Sequence, residues 1–271
     1  MRLRAWIVPI VLSLGCDAAP TLPGGSAGST GSAGPAAATP TSAIHTPDAL
    51  HAALKAKNPD YNGGAQMEWN GQSLVALDLR DTGVADISPL AGLPLVVFFA
   101  ENTKVTDLAP LKGMRLVQLS LSDTPVEYLG PLRGMPLQEV RLVNTRVRDV
   151  SPLQGAPLRE LWLNNSPVEE IGALTGAPLI SLTIEKTKVR DLAVVQRLPL
   201  LERLNLIDAP VTDLSPVAGL RLTRLVFTPG AITKGLDAAR SLPALREIGP
   251  SLEQMGSPQA FWAAYDAGTF R

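Results

Sequence analysis

The amino-acid sequence predicts an α/β repeat solenoid, with short parallel strands lining a concave face and short 3-10 or irregular turns on the convex face. Three observations carry this. Leu74, Leu95, Leu116, Leu137, Leu158, Leu179, Leu201 and Leu222 recur every 21 residues, with one 22-residue step between Leu179 and Leu201. The chain holds 24 prolines in 271 residues, about 9% against a usual share of about 5%. Such prolines fit neither long helices nor central strands, so they belong to a linker or to fixed positions of a repeat. Aromatic residues are only 4% and charged residues 18%, yet 45% of the chain is hydrophobic, which argues against disorder throughout.

The first element is an address label. Arg2 and Arg4 precede an apolar run, Ala5 to Leu14, too short to span a bilayer as a helix. It ends in Leu12-Ser13-Leu14-Gly15-Cys16. That ending resembles the lipobox of bacterial lipoproteins, which implies a signal peptide over 1–15 and lipidation of Cys16. A plain secretory signal with an incidental cysteine is the alternative. Residues 18–43 hold only Ala, Gly, Ser, Thr, Pro and one Leu, so 16–43 reads as an acylated cysteine followed by a flexible tether. Its r.m.s. reach is about 28 Å, at about 5–6 Å × √n. The expected location is the bacterial cell envelope, lipid-anchored at the outer membrane or cell surface. Asp17 leaves the inner membrane open.

Residues 44–73 form the expected N-terminal cap. Thr46-Pro47-Asp48 starts a helix over 47–57. Asn70-Gly71 between AQMEW and QSLVALDL marks a hairpin feeding the first repeat strand.

The repeats, about eight over 74–250, share LxxLxLxxTxVxDLxPLxGxP, as in LVALDLRDTGVADISPLAGLP. Alternating leucines such as Leu77 and Leu79 point to one face of a strand. Pro89, Pro110, Pro131, Pro152 and Pro216 can open a short helical turn, and Gly92 and its counterparts suit a left-handed exit. One coil cannot bury its own leucines, whereas stacked coils share a column. The recurring Asp86, Asp107, Asp149, Asp191 and Asp213 read as caps on these turns rather than as metal ligands. This pattern resembles the short class of leucine-rich repeat found in internalin-like bacterial proteins. The resemblance implies a right-handed superhelix with a concave strand face, and a receptor bound there. Thr82, Thr103, Thr124, Thr145 and Thr187, with Ser166 and Ala209, stand where the family has Asn, so a thinner side-chain ladder is expected at that column.

The C-terminal end loses the repeat. ITKGLDAARSL, residues 232–242, reads as a short helix and LREIG as a last strand. In the C-terminal cap, 251–271, Phe261, Trp262 and Tyr265 at helical spacing are expected to plug the core. An aromatic ligand box is the alternative.

Several function classes fall away. Net charge is −1, and both signs alternate on the predicted strand face, which disfavours nucleic acid. With one Cys and two His there is no Cys/His zinc framework, and neither metal nor cofactor is expected. The strand positions between the leucines face outward. Phe99 and Trp162 share one such column three coils apart, with Arg141 beside Trp162 and Glu139 and Glu160 in the next. Trp and Arg commonly anchor interfaces. The partner-binding candidates are therefore Phe99, Gln118, Glu139, Arg141, Glu160 and Trp162, although Arg141 stacking on Trp162 and pairing with the glutamates accounts for them equally well. The glutamate pair mimics a two-carboxylate site, but it lies on an open face beside arginines. The sequence thus points to a non-catalytic, monomeric module binding a protein, with polysaccharide binding or a structural role as the alternative.

Overall fold

In the computed structural model, which describes residues 44–270, each repeat closes into one coil made of a strand, a turn, a 3-10 helix and a return. The strands are β1 (Gln66–Asn70), β2 (Ser73–Asp78), β3 (Val97–Phe99), β4 (Gln118–Ser120), β5 (Glu139–Arg141), β6 (Glu160–Trp162), β7 (Ser181–Thr183), β8 (Arg203–Leu206), β9 (Arg224–Phe227) and β10 (Glu247–Gly249). They form one sheet in chain order. Only β1–β2 is antiparallel, and β2 to β10 are parallel. Register follows the sequence period: Gln118 pairs with Glu139 and Glu139 with Glu160, whereas Ser181 pairs with Arg203, one residue further on. The extra residue is Leu200, which bulges out and is 53% exposed. The described residues, 44–270, belong to one compact unit. No helix among the described residues is long and apolar enough to cross a membrane.

The core is the stacked column that the spacing requires. Leu95, Leu116, Leu137, Leu158 and Leu179 are fully buried, as are Leu79, Leu121, Leu142 and Leu163. On the convex side Val84, Val105, Val126, Val147, Val168 and Val189 close each coil, again fully buried. The prolines sit at the start of 3-10 helices such as Ser88–Leu90 and Ser151–Leu153. The exit glycines adopt left-handed backbone, for example Gly92 at φ 79° and Gly113 at φ 81°.

The aspartates cap these helices as expected, from one residue further out than a standard N-cap. Asp86, Asp107, Asp149, Asp191 and Asp213 each accept a hydrogen bond at Oδ1 from the backbone N–H two residues on, at 2.7–2.8 Å. Tyr128 and Glu170 take this position in two coils. Tyr128, 71% exposed, folds back over Gly130, where a Cβ would lie 2.0 Å from its Oη, so a larger residue there would turn the tyrosine ring outward.

The threonine column differs from expectation. Thr103, Thr124 and Thr145 are buried, and each hydroxyl donates to the carbonyl three residues earlier in its own coil. The rungs between coils lie one residue earlier. Asp81, Asn102, Asp123, Asn144, Asn165, Lys186 and Asp208 all have φ between 52° and 59°. Asn102 donates to Asp81, Asn144 to Asp123 and Asn165 to Asn144, at 2.6–2.7 Å. Asn and Asp tolerate left-handed backbone better than other L-residues, so one residue type serves both turn and rung.

Both ends are sealed. Helix α1 spans Pro47–Lys57 with Thr46 as its N-cap, matching the expected range. Asn58, 3% exposed, fastens it to the first coil: Oδ1 accepts from the Ala85 and Asp86 N–H groups and Nδ2 donates to the Leu54 and Asp86 carbonyls. At the other end α2 is Leu236–Arg240, shorter than the 232–242 read from sequence. Gly235 before it, at φ 81°, has no room for a Cβ, which would meet Ser215 N at 2.1 Å. Helix α3, Pro258–Asp266, buries Phe261 and Trp262. Phe261 packs on Phe227 and Phe270, so the aromatics do plug the core. The outer edge of β10 is closed by Ile248 and Gly256, which exchange backbone hydrogen bonds.

Candidate functional site

The concave face is built by the strand residues that alternate with the leucines. Its floor is more enclosed than the sequence suggests. Gln118, Ser120 and Ser122 on and after β4 are 5%, 0% and 8% exposed. Gln118 does lie on this face, but as buried floor rather than open surface. Short side chains here sit below the larger groups of neighbouring coils, and the Ser120 hydroxyl donates to Glu101 of the preceding coil.

Two arginine–aromatic stacks flank this floor. On one side the Arg80 guanidinium lies 5.6 Å from the centre of the Phe99 ring and is held by both carboxylate oxygens of Asp78. On the other, Arg141 lies 4.6 Å from the centre of Trp162. Strands β5 and β6 place them side by side, since Arg141 pairs with Trp162 in the sheet register. Phe99 and Trp162 are both half-buried, with two strands between them. Each stack fixes the ring and the guanidinium before anything binds.

The acidic column is paired throughout. Glu139 meets Arg141 at 4.0 Å, and Glu160 meets Arg203 at 3.2 Å. The second pair reaches across β7 because Ser181, between them in the register, is short. The partner of Glu160 is thus Arg203, not its chain neighbour Arg159, which is exposed on the edge of the coil. Neighbouring glutamates that each face an arginine on an open surface are an ion-pair network; they lack the enclosure of an acid/base couple. Among the described residues no group of three or more His, Cys, Asp and Glu could hold a metal ion.

A groove of about 270 Å³ opens beyond Trp162, lined among others by Ser181, Thr183, Arg203, Asn205 and Leu252. Leu252 is 54% exposed and belongs to the loop after β10. The sequence pattern gives no sign of it, because it lies outside the repeat and reaches the groove only through the return of that loop. Arg203 and Asn205 were visible as outward strand positions, but their role depends on the short Ser181 and Thr183 that precede them. Two lining residues, Asn164 and Asn205, both donate from their amides to Glu185 Oε2.

Comparison with known proteins bears on the fold. No protein-family model matches the chain, and no curated protein does. Solved structures do. An internalin C2 from Listeria monocytogenes is 24% identical with a TM-score of 0.60, covering 80% of this chain and 99% of that one. An internalin InlF from the same organism is 20% identical with a TM-score of 0.50, covering 74% of each chain. At these identities the likeness is one of architecture, and the chain has the leucine-rich repeat fold of the internalins.

Proposed function

We propose that this is a non-catalytic binding protein, held in the bacterial envelope by a lipid on Cys16, that grips a protein partner on its concave face. Cys16 lies outside the described residues, and the anchor rests on the sequence alone. The observation that carries the binding reading is the Arg141–Trp162 stack beside the Leu252 groove. It offers a pre-ordered aromatic and guanidinium next to a cavity of side-chain size, the composition that dominates interface energetics. Phe99 supplies a second anchor, Gln118 part of the floor, and Glu139 and Glu160 the charges that hold the arginines.

The test is affinity capture from native envelopes with the full chain and with Trp162→Ala plus Arg141→Ala. Loss of such anchors commonly costs 2 kcal/mol or more, about 30-fold in affinity. The protein partner should be absent from the variant eluate while the denaturation midpoint stays close to wild type. The same partners at the same yield would place binding elsewhere. Retention of purified peptidoglycan or glycan by the wild type, and no protein, would overturn the protein reading in favour of a polysaccharide.

A further inference from the structure

Each coil has two flanks. The leading flank runs from the start of each 3-10 helix, or α2 in the last coil, to the residue before the next strand. The trailing flank runs from the end of each strand to the next such helix. Charge is divided between them. The eight leading segments between residues 88 and 246 carry eight basic and two acidic side chains. The trailing segments between 79 and 235 carry eight basic and thirteen acidic ones. Pairing is divided too. Arg115, Arg133, Arg159, Arg197, Arg221 and Arg246 on the leading flank are all exposed, and no carboxylate among the described residues pairs with them. The concave arginines and most trailing cations, such as Lys104, Lys188 and Lys234, are paired.

We propose that the leading flank is a docking surface for an anionic lipid bilayer. The six arginines are distributed over six strand spacings, about 28 Å at about 4.7–4.9 Å each. A charged array of that length, with only Glu202 and Asp237 interrupting it, is complementary to a dense anionic plane. Near its middle the inserted Leu200 stands out into solvent, 53% exposed, close to Arg197, giving an apolar contact of the kind that enters a headgroup layer. At the N-terminal end Lys112 and Arg115 border a groove of about 350 Å³ with Gly92, Gly113 and Pro94. An acyl group on Cys16 and a tether of about 28 Å r.m.s. reach would keep this flank within range of the bilayer, adding the second attachment that a weak anchor needs. The proposal is independent of the concave-face reading, and its test works with the acylation site removed.

The full chain carrying Cys16→Ala is sedimented with vesicles of phosphatidylglycerol and phosphatidylcholine in equal parts, and with phosphatidylcholine alone. Binding should favour the anionic vesicles and weaken with added salt. Arg115→Gln, Arg133→Gln, Arg159→Gln and Arg197→Gln together should lower the anionic partition about tenfold or more. Arg146→Gln, Arg148→Gln and Arg190→Gln, which remove unpaired cations from the trailing flank, should leave it within about twofold. Arg159→Glu alone should give a smaller drop of the same sign with no change in far-ultraviolet dichroism. Equal binding to both vesicles, or equal loss from the two multiple variants, overturns the proposal. So does retention on dextran sulfate without vesicle binding, which would assign the flank to a soluble polyanion.

Discussion

At the residue scale, the repeat depends on a division of labour between two adjacent side chains. The Asn or Asp at the strand exit takes the left-handed turn and makes the rung to the next coil. The following Thr or Ser is buried and ties its own coil shut. Thr124, 3% exposed, donates to the Leu121 carbonyl at 2.5 Å. Thr124→Val keeps the shape but leaves that carbonyl without its hydroxyl partner. It should cost about 1 kcal/mol in a urea titration, with no change of cooperativity; a cost near zero would mean the hydroxyl is energetically idle. This column marks the limit of what the pattern reveals. That Thr replaces Asn is plain from the sequence. That the rung moves to the preceding residue is not, because it rests on a positive φ that Asp81 and Asn102 can adopt and that no spacing encodes. The candidate site divides in the same way. Phe99, Arg141 and Trp162 were legible as outward positions in one column. The burial of Gln118 and the Glu160–Arg203 pair follow from which side chains are short, a property of neighbours in space.

At the element scale, an aspartate caps the opening of five of the 3-10 helices, and Asp213 is held furthest below its ordinary value. Hydrogen bonds from the Ser215 side chain and N–H, with Lys234 alongside, hold its carboxyl at about 2, below the ordinary 3.8. A depressed carboxylate stabilises the fold above its unfolded value and loses that contribution as pH falls through the folded one. The turn at 213–217 should therefore loosen between pH 3.8 and about 2, seen as lower amide protection there relative to the intrinsic exchange rate. Asp213→Asn should remove this pH step while leaving neighbouring turns unchanged. A wild-type profile flat across that window would show that the cap does not couple to stability. Element positions were largely legible: α1 and the β1–β2 hairpin follow from Thr-Pro-Asp and Asn-Gly. Helix α2 is shorter than its sequence suggests because the left-handed Gly235, pressed against Ser215, fixes its start.

At the scale of the whole molecule, a linear repeat has been made finite by two unlike ends, one a helix tied down through Asn58 and the other an aromatic plug around Phe261. No helix among the described residues is long and apolar enough to cross a membrane, and the proposed attachment through Cys16 is open to a direct test. In high salt, where binding through the arginine flank is screened, Cys16→Ala should move the full chain from the membrane pellet to the soluble envelope fraction; undiminished pelleting there would exclude the lipid as the anchor. The leading and trailing charge bias was invisible along the chain, where the overall net charge is only −1. It emerges when the 21-residue period wraps distant arginines onto one flank. The uniform register of the coils has a final consequence. Phe99 and Trp162 are separated by whole rungs, so the face works as a ruler graduated in steps of about 4.7–4.9 Å. Gain or loss of one 21-residue unit between them would reset the distance between the two rings by a single graduation while leaving each ring's own surroundings intact. On the proposed concave-face reading, a partner of another size would be met by copying a coil, with no new fold to invent.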